Sequence, residues 1–306
     1  VSMVAAFFVA CTATFHLSVR VGTLFGAGSS RRHAVLVAAV ACSPAMSLAG
    51  WNSVYDETEM WAFALFLITA IAALRMWESP TRRTVITAVA LACCTVLTRS
   101  SVGLGALIAV ALAGSLLWRR HRRAALAAGA GALGGVLLNV AVNFAKFGSL
   151  FDLPAARQVL TLQSSTRAAW FAGNNGSFFS PRFLPTTIVQ YLRPDALRFE
   201  RLVPFVRFGP AARELGSYPL ESNTPASSLP ASATLLFALA VIGIWVLLRR
   251  RSWPLLALWA GALAAAAPSF LIGFVANRYL TDMLPALVIP AAVALGAVSL
   301  PTGLAR

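Results

Sequence analysis

What limits this chain most is the length of its uninterrupted apolar runs. They come in blocks of roughly 15 to 22 residues, close to the ~20 that carry an α-helix across hydrocarbon, and they lack the period of a helix with one wet face. Hydrophobic residues make up 58% of the 306 and charged residues only 11%, at a mean hydropathy of +0.76. That leaves too little polar surface for a water-soluble domain of this size. A secreted disulfide scaffold, a nucleic-acid-binding domain and a dinucleotide-binding α/β enzyme are therefore excluded, despite a pI near 11.4. The expected fold is all-α, a polytopic transmembrane helix bundle.

Hydrophobic helices are expected at about 1–19, 34–50, 60–77, 84–98, 102–118, 124–143, 229–248, 255–275 and 280–298, nine spans in all. They divide the chain into a six-span bundle over 1–143, a large loop over 144–228 and a three-span bundle over 229–306. Charge alternates between the connections. Arg20, Arg31, Arg32, Arg75, Arg82, Arg83, Arg119, Arg120, Arg122, Arg123, Arg249, Arg250, Arg251 and Arg306 fall on one side. The short connections of the other side carry only Arg99 and Arg278, together with Asp56, Glu57, Glu59 and Asp282. By the positive-inside rule the first side is cytoplasmic, and the long loop lies outside. Nine of the ten acids then face outward, Glu78 being the exception. The first helix would run inward from an apolar Val1, so at least one further helix and an outer loop are expected upstream of it.

The loop over 144–228 is rich in aromatics, among them Trp170, Phe171, Phe178, Phe179, Phe183 and Tyr191, and such side chains need a surface to bury against. Leu184, Ile188 and Tyr191 or Leu192 recur at helical spacing, which predicts a short interfacial helix over 183–192 ended by Arg193-Pro194. Asn174-Asn175-Gly176 predicts a turn, and residues 222–231 an extended return to the bilayer. Cys11, Cys42, Cys93 and Cys94 all lie in apolar runs without metal-ligand spacing and read as small packing residues.

Two clusters could carry chemistry. Tyr55, Asp56 and Glu57 stand at the outer start of the third span, where adjacent carboxylates are costly unless solvated, paired or used. They read either as a general base or a divalent-cation site, or as acids that cap the helix and complement its dipole. Arg278, Tyr279 and Asp282 open the last span. Arg278 and Asp282 are four apart, so a helix sets them on one face as a pair. Arg99 follows a short span and sits at the same outer boundary, either snorkelling to headgroups or presenting a fixed cation. Arg99, Arg193 and Arg278, with Asp56 and Glu57, thus gather at one depth on one side. Guanidinium forks there suit a lipid-linked phosphate.

Several blocks resemble, in order, those of actinobacterial multi-pass proteins similar to the GT-C glycosyltransferases. These are VYDETEMW at 54–61, LTRSSVGLG at 97–105, NFAKFGSLF at 143–151, YLRPD at 191–195 and RYLTDMLP at 278–285. The resemblance implies a membrane enzyme that moves a hexosyl or pentosyl group from a polyprenyl-phosphate donor to a cell-envelope glycan, lipid or protein acceptor on the outer face. It implies membrane lipids as partners, no nucleic acid, and a divalent cation as an optional cofactor. Asp56 and Glu57 would act in catalysis, and Tyr55, Arg99, Asn174, Asn175, Arg193, Arg278, Tyr279 and Asp282 in substrate binding. In such enzymes the principal acid lies in the first outer loop, which this reading places upstream of Val1. A transporter or lipid flippase, or a noncatalytic homologue, is the competing expectation. The charge-poor midplane and the unrepeated large loop disfavour transport.

Overall fold

The computed structural model describes residues 1–26, 30–50, 54–150, 164–203, 205–215 and 217–297. The protein is almost wholly helical. We number its helices α1 (Ser2–Leu24), α2 (Ser30–Ala41), α3 (Pro44–Gly50), α4 (Val54–Glu78), α5 (Arg82–Thr98), α6 (Ser100–Ser115), α7 (Arg122–Phe147), α8 (Ser165–Gly173), α9 (Leu184–Leu192), α10 (Leu229–Ser232), α11 (Thr234–Arg250), α12 (Trp253–Leu271) and α13 (Tyr279–Ala297). Strands β1 (Leu197–Phe199) and β2 (Val206–Phe208) form one antiparallel hairpin in the long connection.

Helix occupies each apolar block, but length separates them. Among the described residues five helices are long and apolar enough to cross a membrane: α1, α4 from Asp56, α7, α12 and α13. A sixth span is reached if α2 and α3 count as one. The expected single helix over 34–50 is broken by 55° at Cys42 and Ser43, because Pro44 cannot continue the backbone ladder. Helices α5 and α11 have 17 residues each, and α6 has 16. The expected start at 229 is also interrupted: α10 makes one turn, and Ala233, at φ −133° and ψ 41°, breaks the helix before α11. The span expected to run to 275 stops at Leu271, and residues 272–276 are needed elsewhere, as shown below.

Local sequence explains the joints. Ser79-Pro80 closes α4, and Thr81 opens α5 through a reciprocal capping box with Thr84. Gly148, at φ 69°, ends α7 in the left-handed conformation. Helices α5 and α6 are joined by Arg99 alone, an extended residue at φ −152°. So tight a hairpin requires Gly103, where a Cβ would come within 1.9 Å of Val96 Cα. Small residues also set two other interfaces. Gly105 and Gly261 bring α6 onto α12, and Gly243 brings α11 onto the Pro290 carbonyl of α13.

Helix α13 is the centre of the bundle, buried along nearly its whole length between α1, α4, α11 and α12. By contrast α7 turns Leu126, Leu133 and Leu137 outward, and α11 exposes Trp245. An apolar exterior around a packed interior is the arrangement a hydrocarbon solvent permits. The two ends differ in charge. At one, Arg20 pairs with Glu78, the Arg32 guanidinium donates to Leu295 O, and Arg250 lies over the Phe25 ring. At the other, Trp61 Nε1 donates to Ser2 Oγ at 3.0 Å and the long connection is attached.

That connection has its own core. Trp170 stacks on Phe178 and Phe183 and donates to Pro219 O, and the Tyr218 hydroxyl donates back to Trp170 O at 2.8 Å. The expected helix appears as α9 behind a short 3-10 turn (Pro181–Phe183), and Arg193 ends it in extended conformation. Rather than standing off the bundle, α9 is tied to α12: Thr187 Oγ1 donates to Phe270 O at 2.6 Å. The turn at 174–176 is present, with Asn175 and Gly176 at positive φ. Residues 272–276 run as an extended segment between two passes of this loop, held by isolated bridges from Phe179 to Ile272 and from Ser222 to Phe274. Gly273 is required there, since a Cβ would meet the Trp170 ring at 2.4 Å.

Candidate functional site

The ends of α4, α5, α6, α12 and α13 converge beside this extended segment. They form an open cavity of about 580 Å³ lined by Glu59, Arg99, Ser100, Ser101, Ser269, Arg278, Tyr279 and Asp282, with Phe179, Pro268, Leu271 and Ile272 as its apolar wall. Each polar group arrives for a local reason. Arg99 is the one-residue joint between α5 and α6. Glu59 lies in the second turn of α4, and Asp282 in the first turn of α13. Arg278 and Tyr279 follow closely on the bridged segment.

Asp282 is 2% exposed and is gripped by Arg99 as a fork: Nε donates to Oδ1 at 2.8 Å and Nη2 to Oδ2 at 2.6 Å. Ser269 Oγ adds a weaker bond to Oδ2 at 3.3 Å. Glu59, 1% exposed, faces both cations, with Oε1 at 3.2 Å from Arg99 and 3.6 Å from Arg278. Its Oε2 is buried with no hydrogen-bond partner among the described residues. Arg99 and Arg278 both approach the Tyr279 ring, at 5.9 and 5.3 Å from its centroid. Two guanidiniums thus meet two carboxylates at the edge of the bundle, in a geometry that fixes charge without cancelling its donors.

The expected pairing inside the last helix is replaced by a longer-range one. Asp282 takes Arg99, 183 residues away, and Arg278 turns to Glu59. The reason is positional: Arg278 precedes the helix, so its side chain is not on the face that an i,i+4 pair needs. Asp56 is buried one turn before Glu59 and does not line the cavity, and neither does Glu57. Both stand in the first turn of α4, where they complement its dipole. The Tyr55 side chain lies outside the described residues. Arg193 stays in the loop, donating to Pro210 O and facing Asp195 at 3.7 Å. Asn174 caps α8 and donates to Ser177 O, and Asn175 supplies the left-handed turn, so neither reaches the cavity.

Glu59 is the residue that sequence reasoning placed among the outer acids without giving it a role in the site. The signal for more was its depth, one turn further into apolar sequence than Asp56, where an unpaired acid is costly. Beyond Arg278 lies a second cavity of about 200 Å³, lined by Pro44, Ser47, Leu48, Phe208 and Asn277 among others, which shares only Arg278 with the first. No group of three or more His, Cys, Asp or Glu among the described residues could hold a metal ion. The donor set does not fit a divalent cation either, since both cavity carboxylates already face arginines. Comparison with protein-family models, curated proteins and solved structures gave no match.

Proposed function

We propose that this is an integral-membrane, GT-C-like glycosyltransferase that moves a sugar from a polyprenyl-phosphate donor to a cell-envelope acceptor on the outer face of a bacterial plasma membrane. In this reading nine apolar segments cross the bilayer, including the bent α2–α3 pair. A 17-residue helix spans about 26 Å, close to a hydrocarbon core of about 30 Å. The arginine-rich end faces the cytoplasm, and the cavity opens outward.

The observation that carries the proposal is the meeting of Arg99, Arg278, Glu59 and Asp282, from three distant segments, in one large cavity at the helix ends. Asp282 positions Arg99. Arg278, the more exposed cation at 35%, and Arg99 receive the donor phosphate through their remaining N–H groups. Glu59 directs its unpartnered Oε2 at the acceptor hydroxyl. That hydroxyl gives its proton to the carboxylate as its oxygen bonds the anomeric carbon. The carbon–phosphate oxygen bond breaks, and the polyprenyl phosphate leaves with the electron pair, stabilised by both arginines. The second cavity gives the other substrate a separate approach to Arg278.

The test uses membranes containing the full-length protein and polyprenyl-phosphate donors carrying labelled hexose or pentose. Glu59→Gln and Arg278→Ala are expected to lower transfer by about 10²–10³, and Asp56→Asn to abolish it if that acid also acts. Transfer retained in Glu59→Gln and Arg278→Ala, with normal insertion, refutes the proposal.

A further inference from the structure

At the end of the bundle opposite the cavity, α5 and α7 leave a groove of about 370 Å³ between them. Val85, Ile86, Ala124 and Ala127 form its apolar wall, and Arg82 and Arg123 stand at its mouth beside Pro80 and Thr81. The groove follows from the packing of the pair. Further along, Gly131 is pressed on Val89 so closely that a Cβ would come within 2.6 Å of Val89 Cγ2. Towards their N-termini the same two helices leave the space unfilled.

Its charge is not neutralised internally. Among the described residues neither Arg82 nor Arg123 forms an ion pair, and Glu78, the acid of this end, is engaged by Arg20. Neighbouring Arg122 is turned onto the Trp118 ring at 5.0 Å and is not directed into the groove. Ile86 is 55% exposed within a turn of Arg82, and α7 carries further exposed leucines, Leu126 and Leu133, elsewhere along its length. Two unpaired guanidiniums above an apolar channel that opens onto the lipid-facing surface complement a molecule with a phosphate at one end and an acyl chain at the other.

We propose that this groove binds an anionic phospholipid of the adjacent leaflet, its phosphate between Arg82 and Arg123 and the start of one acyl chain along Val85, Ile86, Ala124 and Ala127. A soluble anion would use the arginines but leave the apolar wall wet. The proposal does not depend on the glycosyl-transfer reading.

Native mass spectrometry of the full chain in neutral detergent, with dioleoyl phosphatidylglycerol or phosphatidylcholine added, tests it. Each basic side chain near an anionic lipid surface contributes about fivefold in affinity, so the pair predicts roughly 25-fold preference for phosphatidylglycerol. Arg82→Ala with Arg123→Ala removes that preference, whereas Arg249→Ala with Arg250→Ala keeps it. Ala127→Leu, which fills the groove and leaves charge untouched, weakens retention as well. Equal binding of the two lipids, an unchanged preference in the Arg82/Arg123 variant, undiminished retention in Ala127→Leu, or an equal loss in the Arg249/Arg250 control overturns the proposal. So does inorganic phosphate displacing the lipid at matched concentration.

Discussion

The Arg99–Asp282 fork can be weighed by a double-mutant cycle of Arg99→Met and Asp282→Asn. Removing one partner of a fully buried ion pair costs about 3–5 kcal/mol, because the other charge is stranded. Two features lower that here. The Arg99 side chain is 21% exposed at the cavity edge, and Glu59 Oε1 lies 3.2 Å from the same guanidinium as a substitute acceptor. Asparagine also keeps one acceptor for Arg99 and the Ser269 contact. We therefore expect each single variant to lose about 2–3 kcal/mol, with a coupling between them of about 2 kcal/mol. The assay is reversible SDS titration in mixed micelles, followed by helical ellipticity. A parallel cycle of Arg278→Met with Asp282→Asn, which are linked only through Glu59 and Arg99, should show a coupling well below that of the first, under about 1 kcal/mol. Additivity in the first cycle and coupling in the second would refute the assignment and restore the pairing expected from residue spacing.

Two further outcomes follow from packing and burial. Gly243→Ala places a methyl 1.7 Å from Pro290 O and should cost about 3 kcal/mol or more, while Gly134→Ala, with nothing within 4 Å, should be neutral or slightly stabilising; thermal midpoints in detergent distinguish them. Burial raises the Tyr191 phenol above its ordinary value. The folded state then holds a proton that the unfolded chain releases above pH of about 10, so this contribution is complete below that pH and is lost as pH climbs beyond it. Tyr191→Phe should give a flatter decline of midpoint between pH 9 and 11, and an equal slope would contradict it.

Apolar run length located the helices well because hydrocarbon-facing and core-facing residues are alike in type, so a block declares itself whichever way it points. For the same reason it could not separate a long straight span from the pair broken at Pro44, nor see that residues 272–276 leave the helix to bridge two passes of the outer loop. Arg99, Arg278, Tyr279 and Asp282 were legible as a set, since each is a polar exception at the rim of an apolar block. Their partners were not. The choice of Arg99 for Asp282 depends on how α5, α12 and α13 cross, and that is set by Gly103, Gly105 and Gly261, whose effect is steric and long-range. Arg193, Asn174 and Asn175 do not line the cavity, and loop polarity alone does not tell where in the fold such a side chain falls.

The extended segment at 272–276 ties the outer loop to the rim of the site. One neighbour, at Phe178 and Phe179, belongs to the aromatic core of the loop, the other, at Ser222, to the return leading into α10 and α11, and Arg278 follows two residues beyond the far end. The guanidinium shared by the two hollows is therefore anchored by backbone hydrogen bonds to both passes of the loop.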